Sequence, residues 1–469
     1  MKMKKIITVM IAGITAVFGQ EAYNLSLQDA LERAIQNNPL VRIERINTDI
    51  AASIVRSERA VYETRIRASY TASESENRPF AESHSLSLSA AKDLSTGTAV
   101  EVGAGASPAP LTRPEKFQNT VGVTVTQALL QGLGRSVNLV PLRKAEIDIN
   151  IRREELAGYA QRLLADTERA YWDLLLSGQQ INIFRYSLEL AQRLLHESEE
   201  RLRIGGLAPI DLVTIRAEVA SRERQLFDAE TSYRQKALYL AHLMGAPELW
   251  DKAIALTDTA ETLGAADQVS DHIDAARMFR PDYQIAFMQA RKGELDLIQT
   301  RNGLLPRLDF FITLQGTTYS EAFPGALVPG GEPASAIAGG LTLLFPIRNT
   351  PARERYRRTT YTVEQQKLSL ENFARVIEYE VRSTHMEVYR AQRQIETAMT
   401  VSALQLQKLE AEEAKMNAGR STGYAVLQVQ RDLVSASLDE AQARTAYINA
   451  LISLYSRDGT LLQRRGVRF

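Results

Sequence analysis

The sequence contains no cysteine, which excludes disulfide bonds, thiolate metal sites and an N-terminal lipid attached through a cysteine side chain. It also has no net charge, because 56 basic residues balance 56 acidic ones. Without a basic excess, charge gives no indication of a nucleic-acid partner. After residue 19 no run of 18 apolar residues remains, so no membrane-spanning helix is predicted in the mature chain.

The N-terminus has the pattern of a secretory signal peptide. Three lysines precede an apolar run over residues 6–18, which is too short to cross a membrane comfortably. The small residues Val17 and Gly19 occupy positions −3 and −1 of a cleavage site, so removal after Gly19 is predicted. The absence of cysteine suits export through an oxidising space.

Glycine and proline are missing from residues 352–418, a stretch of 67 residues. Apolar and small residues recur there at alternating steps of four and three, which predicts one coiled-coil seam on a helix roughly 100 Å long. The seam residues are Leu370, Ala374, Ile377, Val381, Thr384, Val388, Ala391, Ile395, Ala398 and Ser402. Gly419 then ends the helix. A returning helix is predicted through Val434, Leu438, Ala441, Thr445, Ile448, Ile452 and Tyr455.

The chain matches itself in two halves. Matching residues differ by 242 in number near the start of each half and by 214 further on, as for Gly205 and Gly419. The difference of 28 residues predicts an insertion in the first half, between about Ile66 and Val121. An offset sustained over this length indicates a duplication in which each half contains a helix, strands and a long helical hairpin.

This duplication predicts the domain organisation of the chain. The predicted segments are a signal peptide (1–19), a first repeat (20–245, with strands at about 66–127 and a helical hairpin at about 135–245), a linker (246–270), a second repeat (271–459, with strands at about 308–345 and a helical hairpin at about 352–457) and a C-terminal tail (460–469). The opening helix of each repeat is predicted over residues 26–59 and 271–302, with Ser26 as the first N-cap.

The predicted strands alternate between apolar residues and small or polar residues over about ten positions. Residues 308–315 and 121–126 show the pattern, as do residues 86–90 and 100–105. Alternation is typical of a membrane β-barrel with lipid outside and water inside, and equally of a half-buried soluble sheet. Two strands are predicted in the second half and two to four in the first. Membrane barrels need about eight strands, so a barrel here would be shared by several chains.

The order of these elements resembles the TolC-like outer-membrane efflux protein family. The resemblance covers nearly the whole mature chain. It is carried by residues 27–31 with Asn37-Asn38-Pro39, by residues 304–308 and by the turn segments 201–212 and 415–422. It implies a mainly α fold with a transmembrane β part. In that fold, a homotrimer forms a shared 12-stranded outer-membrane β-barrel, with four strands per chain, on a periplasmic α-helical barrel.

The resemblance further implies a passive exit duct in a tripartite efflux or type I secretion system, located in the outer membrane with a periplasmic extension. Its partners would be outer-membrane lipid, a periplasmic adaptor that docks at the helix-turn tips, and an inner-membrane pump reached through that adaptor. The cargo could be a drug, a metal ion or a secreted protein. No cofactor is implied. The alternative function is a soluble extracytoplasmic coiled-coil scaffold.

Two sets of residues are candidate sites. The turn residues would dock the adaptor or would only supply the left-handed backbone that ends a helix; they are Gly205, Gly206, Leu207, Gly419, Arg420 and Ser421. Asp211 would form an acidic ring at the periplasmic mouth, or would be a helix N-terminal acid stabilised by the macrodipole. The matching positions in the second half, Ala425 and Gln428, carry no charge.

One hairpin has no counterpart in the second half. Residues 83–107, around Asp93-Leu94-Ser95-Thr96-Gly97, either add two strands per chain or form an extracellular flap. The sequence has no catalytic constellation, since its five histidines are scattered and none has metal-ligand spacing. An enzyme is therefore not predicted.

Overall fold

The computed structural model describes residues 23–74, 82–110, 117–204, 208–258, 268–321 and 334–467. The predicted signal peptide lies outside these residues. The chain divides into two compact units. The helical unit comprises Met1–Ile46, Glu154–Gln284 and Asn372–Phe469, and the sheet unit comprises Asn47–Arg153 and Ile285–Glu371.

Helices account for most of the described chain, and several occur in pairs of equal length. They are α1 (Leu27–Asn37), α2 (Pro39–Ala60), α3 (Arg135–Asn138), α4 (Val140–Arg203), α5 (Pro209–Leu243), α6 (Val269–Phe279), α7 (Pro281–Asn302), α8 (Thr350–Asn417), α9 (Gly423–Arg457) and α10 (Leu461–Arg464). The matched pairs are α1 with α6 (11 residues each), α2 with α7 (22 each) and α5 with α9 (35 each). Equal lengths at the predicted offsets support the duplication.

The opening helix of each half is broken, so the prediction of one continuous helix was wrong. Asn38 and Arg280 have extended backbone conformations, with ψ of 121° and 114°. Each of them precedes a proline, whose ring disfavours the helical conformation of the residue before it. The predicted cap is confirmed, because the Ser26 hydroxyl accepts a hydrogen bond from the Asp29 backbone N–H at 3.1 Å.

Six strands form one antiparallel sheet in the sheet unit. They are β2 (Arg65–Glu74), β3 (Glu82–Asp93), β4 (Thr98–Pro108), β5 (Phe117–Ala128), β7 (Arg307–Ser320) and β8 (Ala334–Leu344), and each pairs with the next in this order. The first half thus supplies four strands and the second half two. The sequence allowed the hairpin β3–β4 to be either two added strands or an extracellular flap. It lies within the sheet, between β2 and β5.

A second, smaller sheet belongs to the helical unit and was not predicted. β1 (Tyr23–Leu25) pairs in parallel with β6 (Ile254–Leu256), and β6 lies within the predicted linker. Leu25 and Ile254 are almost fully buried in a core that also contains Tyr171. The Tyr171 hydroxyl donates to the Leu25 carbonyl at 3.1 Å and to the Asp258 carboxylate at 2.6 Å. The polar composition of residues 246–270 gave no indication of this packing.

The seam predicted on the long helix α8 is confirmed over its central part. Ile377, Val381, Val388, Ala391 and Ile395 are at most 4% exposed. The returning helix α9 is buried on two sides rather than along one seam. Its face at Ala443, Tyr447 and Leu454 packs against the α8 seam, whereas Ile448 and Ile452 pack into the core around α1 and α4. The sequence showed only one of these two faces.

Candidate functional site

The turn between α8 and α9 ends the long helix with a glycine in the left-handed conformation. Gly419 has φ of +69°, and its N–H donates to the Met416 carbonyl at 3.0 Å. The Arg420 N–H donates to the Lys415 carbonyl at 2.9 Å. These two bonds form a Schellman motif, which satisfies the last carbonyls of the helix. Among the described residues other than its two chain neighbours, no atom lies within 4 Å of a Cβ built on Gly419, so the backbone conformation is what favours glycine there.

The other residues of this turn fix the start of α9. The Thr422 hydroxyl caps the helix by accepting from the Ala425 N–H at 3.3 Å. The Ser421 hydroxyl donates to the Glu412 carboxylate, and this bond together with Lys415 lowers the pKa of Glu412. Arg420 is exposed. Of the six docking candidates, the structure therefore describes Gly419, Arg420 and Ser421, in one ordered turn.

The turn between α4 and α5 is described only at its margins. Gly205, Gly206 and Leu207 lie outside the described residues. Asp211 is exposed in the first turn of α5, two residues after Pro209 at the helix start. The dipole of α5 stabilises an acid in this position, which agrees with the interpretation of Asp211 as a helix N-terminal acid. This placement is also compatible with a role at the mouth of a pore.

The four long helices share one apolar core near these turns. Its members are Leu190 and Leu194 of α4, Ile215 of α5, Leu409 and Met416 of α8, and Val426, Leu427, Val429 and Leu433 of α9. The two hairpins are therefore packed together at this end rather than independent. We call this region the tip.

A buried ionic cluster near the tip was missed by the sequence analysis. Glu218 and Arg222 of α5 are both buried and form an ion pair of 2.6 Å. Arg431 of α9 reaches the other oxygen of Glu218 at 2.5 Å. The pKa of Glu218 is lowered, mainly because its carboxylate accepts a hydrogen bond from Arg431. Burial acts in the opposite direction, and the positive charge of Arg222 lowers the pKa further. The only sequence signal is the i, i+4 spacing of Glu218 and Arg222, which is common on helix surfaces.

The six-stranded sheet has one continuous apolar face. A row of residues that pair across all six strands is apolar throughout: Ile66, Ala90, Val102, Val123, Leu314 and Ile337. The neighbouring row on the opposite face is charged, polar or small: Arg67, Ser89, Gly103, Gly122, Gln315 and Ala336. Many side chains of the apolar face are exposed, Ile337 at 79%. An exposed apolar face backed by a polar one suits contact with lipid on one side and water on the other.

The sheet has two open edges. Within the described residues, β2 pairs only with β3, and β8 pairs only with β7. The two edge strands have 10 and 11 residues and run in opposite directions, since five antiparallel pairings separate them. Unpaired strand edges cannot face lipid, so another chain must complete any membrane sheet built from these strands.

The described residues contain neither a metal-binding cluster nor a membrane-spanning helix. Among the residues described in the ranges above, no group of three or more His, Asp or Glu side chains could hold a metal ion. No described helix is both long and apolar enough to cross a membrane.

A family model for outer membrane efflux proteins matches residues 30–246 and 256–460. The chain belongs to this family. The family resemblance predicted from the sequence and the outer-membrane location are confirmed by this match. Members of the family are efflux proteins, and one of the similar solved structures described next is an outer membrane channel.

Individual relatives are more distant. The pyoverdine export outer membrane protein OpmQ of Pseudomonas putida is 26% identical over 307 residues, which is 63% of this chain and 61% of the relative. The chain thus aligns with about three fifths of the length of that curated protein. The outer membrane channel CmeC of Campylobacter jejuni has a similar structure, with a TM-score of 0.69 and 14% identity over 92% of this chain and 85% of that one.

The outer membrane protein VceC of Vibrio cholerae is similar to the same degree. It gives a TM-score of 0.70 and 15% identity over 92% of this chain and 96% of its own. At these identities the likeness shows the fold alone. It confirms the predicted fold class, a mainly α protein with a β part and a duplicated helix–strands–helical hairpin unit.

Proposed function

We propose that this protein is the passive outer-membrane exit duct of a tripartite efflux or type I secretion system. The observation that carries the proposal is the six-stranded sheet, whose apolar and polar faces remain separated across every strand. Such a sheet can contact lipid with one face and line an aqueous passage with the other. The resemblance to the TolC-like family implies that the long helices extend this passage into the periplasm.

The functional unit in this proposal is a homotrimer. One chain has two open strand edges of nearly equal length and opposite direction. These properties allow β8 of one chain to pair with β2 of the next in a head-to-tail ring, which removes every open edge. The sheet allows any number of copies, and the number three comes from the resemblance to the TolC-like family.

The proposed partners are a periplasmic adaptor and, through it, an inner-membrane pump. The adaptor would dock at the tip, on the turn that contains Gly419, Arg420 and Ser421 and on the turn that contains Gly205, Gly206 and Leu207. Support comes from the shared tip core, to which all four long helices contribute near the turn at Gly419. A fixed turn loses little entropy on binding, which favours a docking role.

Asp211 is proposed to contribute one carboxylate per chain to the periplasmic mouth. Its exposure near the tip supports this role. In a trimer, three carboxylates around a passage would concentrate cations and oppose anions. The second half supplies no acid at the equivalent Ala425, so the effect would be modest.

The division into repeats at residues 20–245 and 271–459, with a linker at 246–270, is part of the proposal. It is supported by the two segments of the family match, which are separated by residues 247–255. The cargo is left open. Export of pyoverdine is a property of the relative OpmQ, and alignment over three fifths of that protein does not transfer it.

Membrane fractionation followed by sizing in detergent tests the proposed function. The expected result is a trimer in the outer membrane that resists dissociation until it is heated. A soluble periplasmic monomer would overturn the shared barrel and the duct, and would support the coiled-coil scaffold instead.

A further inference from the structure

The hairpin β3–β4 is an insertion into a sheet that was built from two equivalent strand pairs. By the offsets of the duplication, β2 corresponds to β7 and β5 corresponds to β8. In the second half β7 and β8 are direct neighbours, whereas β2 and β5 are separated by β3 and β4. The 28 residues by which the offsets differ are about the length of this hairpin.

The hairpin continues both faces of the sheet without interruption. Ala90 of β3 and Val102 of β4 belong to the apolar row that runs from Ile66 to Ile337. On the polar face, the hydroxyls of Ser69 and Ser87 lie 2.7 Å apart and join β2 to β3. A flap outside a membrane would not need an apolar face that stays in phase with the neighbouring strands.

The turn of the hairpin is fixed at the helical end of the sheet. Gly97 has φ of +88°, and its carbonyl accepts from the Ala128 N–H at 2.9 Å. The Gly134 N–H donates to the Thr96 carbonyl at 3.0 Å, and the Asn138 amide donates to the Ser95 carbonyl at 3.1 Å. The turn is thus anchored on the segment that leads into α4, which is where a strand connection in a barrel should lie.

We propose that the inserted hairpin widens the outer-membrane passage, because three copies of a six-stranded sheet close into an 18-stranded barrel. This inference rests on the proposed trimeric duct. With strands about 4.8 Å apart and tilted by about 40°, 18 strands give a backbone diameter of about 36 Å, against about 24 Å for 12 strands. The cross-section is then about twice that of a barrel with four strands per chain.

The side chains that the hairpin adds to the polar face increase this effect. Most of them, such as Ser87, Ser89, Gly103 and Gly105, are small and uncharged, and Glu101 adds one carboxylate per chain. Small side chains leave most of the backbone diameter open to solvent. The width of the passage therefore points to bulky cargo.

The position of the hairpin can be tested within a single chain, whatever its oligomeric state. The chain has no cysteine, so introduced thiols are the only ones present. We expect the double variant Ser69→Cys/Ser87→Cys to form a disulfide in oxidised outer membranes, because the two hydroxyls are adjacent. In the matched control Ser69→Cys/Ser89→Cys the second cysteine lies opposite Arg67, on the diagonal from residue 69 and about 7 Å from it. This control should not form a disulfide.

The width of the passage can be tested with maleimide-linked polymers of graded size, added to intact cells. A single thiol at Thr313→Cys lies on the polar face, and Ile312→Cys on the apolar face is the unreactive control. The comparison variant also lacks residues 83–110, which removes the 28 extra residues and should let β2 pair directly with β5. We expect the largest reactive polymer to fall to about two thirds of its diameter in the deletion variant.

The outcomes separate this inference from the proposed function. A trimer whose 69–87 disulfide fails to form, or whose polymer limit is the same with and without the hairpin, would overturn the wide barrel but leave the duct intact. Absence of a trimer would instead overturn the proposed function. If the deletion variant does not assemble, two other measurements test the 18-stranded barrel. They are disulfide formation in Ser69→Cys/Ser87→Cys and a count of the strands in an electron-microscopy structure of the unaltered trimer.

Discussion

In the first half of the chain, four strands separate the opening helices from the long hairpin, whereas the second half has two. The helices of the two halves agree in length to the residue for three pairs. A helix that packs along a seam contacts its neighbour at every turn, so a changed length would disturb many contacts. An antiparallel sheet accepts a whole hairpin because two added strands keep every neighbour antiparallel.

The halves also differ in how they place charge near the tip. Glu218 and Asp432 occupy equivalent positions, 214 residues apart. Glu218 is 8% exposed and pairs with two arginines, whereas Asp432 is 32% exposed and pairs with Lys408 at 2.9 Å. The same position is therefore a buried link between hairpins in one half and a surface ion pair in the other.

The two faces of β8 should respond in opposite ways to the same charge. We expect Ile337→Arg to prevent stable insertion, because an arginine on the lipid face costs about 2–4 kcal/mol in each chain. The matched variant Ala338→Arg points the same charge to the polar face and should insert and form trimers normally. Outer-membrane yield and heat-modifiable trimer on gels measure the result. Equal yields for the two variants would contradict the assignment of the faces.

The turn of the second hairpin should require glycine for its backbone alone. We expect Gly419→Val to abolish efflux while trimers remain, because a β-branched residue at φ of +69° is strained and distorts the turn. Gly419→Asn, which tolerates the left-handed conformation, should retain most efflux. Trimer content and efflux of a compound whose export depends on the unaltered protein should be measured together. Unimpaired efflux in the valine variant would count against adaptor docking at this turn.

Much of this architecture could be predicted from the sequence, and the parts that could not share a physical cause. The seam of α8, the cap at Ser26 and the alternation in β5 and β7 depend on residues close in sequence, so local patterns show them. The break at Asn38 could have been predicted from the following proline. The β1–β6 pairing and the Glu218–Arg431 contact join residues more than 200 positions apart, and no local period indicates them.

The buried and exposed acids should differ in their contribution to stability. We expect Glu218→Ala to destabilise the protein by about 3–5 kcal/mol, because it leaves buried Arg222 without its partner. Asp432→Ala removes an exposed pair and should cost about 0–1 kcal/mol. Thermal unfolding in detergent at pH 7 compares them. Similar losses for the two variants would show that Glu218 is not buried in the assembled protein.

The same pair gives a test by pH. The pKa of Glu218 is lowered in the folded protein, so its contribution is complete above its ordinary pKa of 4.5. It is lost as the pH falls from there through the lowered pKa, because protonation removes the charge that Arg222 and Arg431 bind. Glu218→Gln should show less loss of stability on acidification than the unaltered protein. An unchanged acid profile would contradict the lowered pKa.

The smallest effect is expected at the mouth of the passage. Asp211→Ala should change single-channel conductance in lipid bilayers by no more than about twofold and weaken the preference for cations, because the equivalent position in the second half, Ala425, supplies no second acid. Ala425→Asp should have the larger effect, since it doubles the number of carboxylates and increases the preference for cations. A many-fold rise in Asp211→Ala would identify this residue as the dominant gate. No change in the selectivity of either variant would instead leave Asp211 as a helix N-terminal acid, stabilised by the dipole of α5.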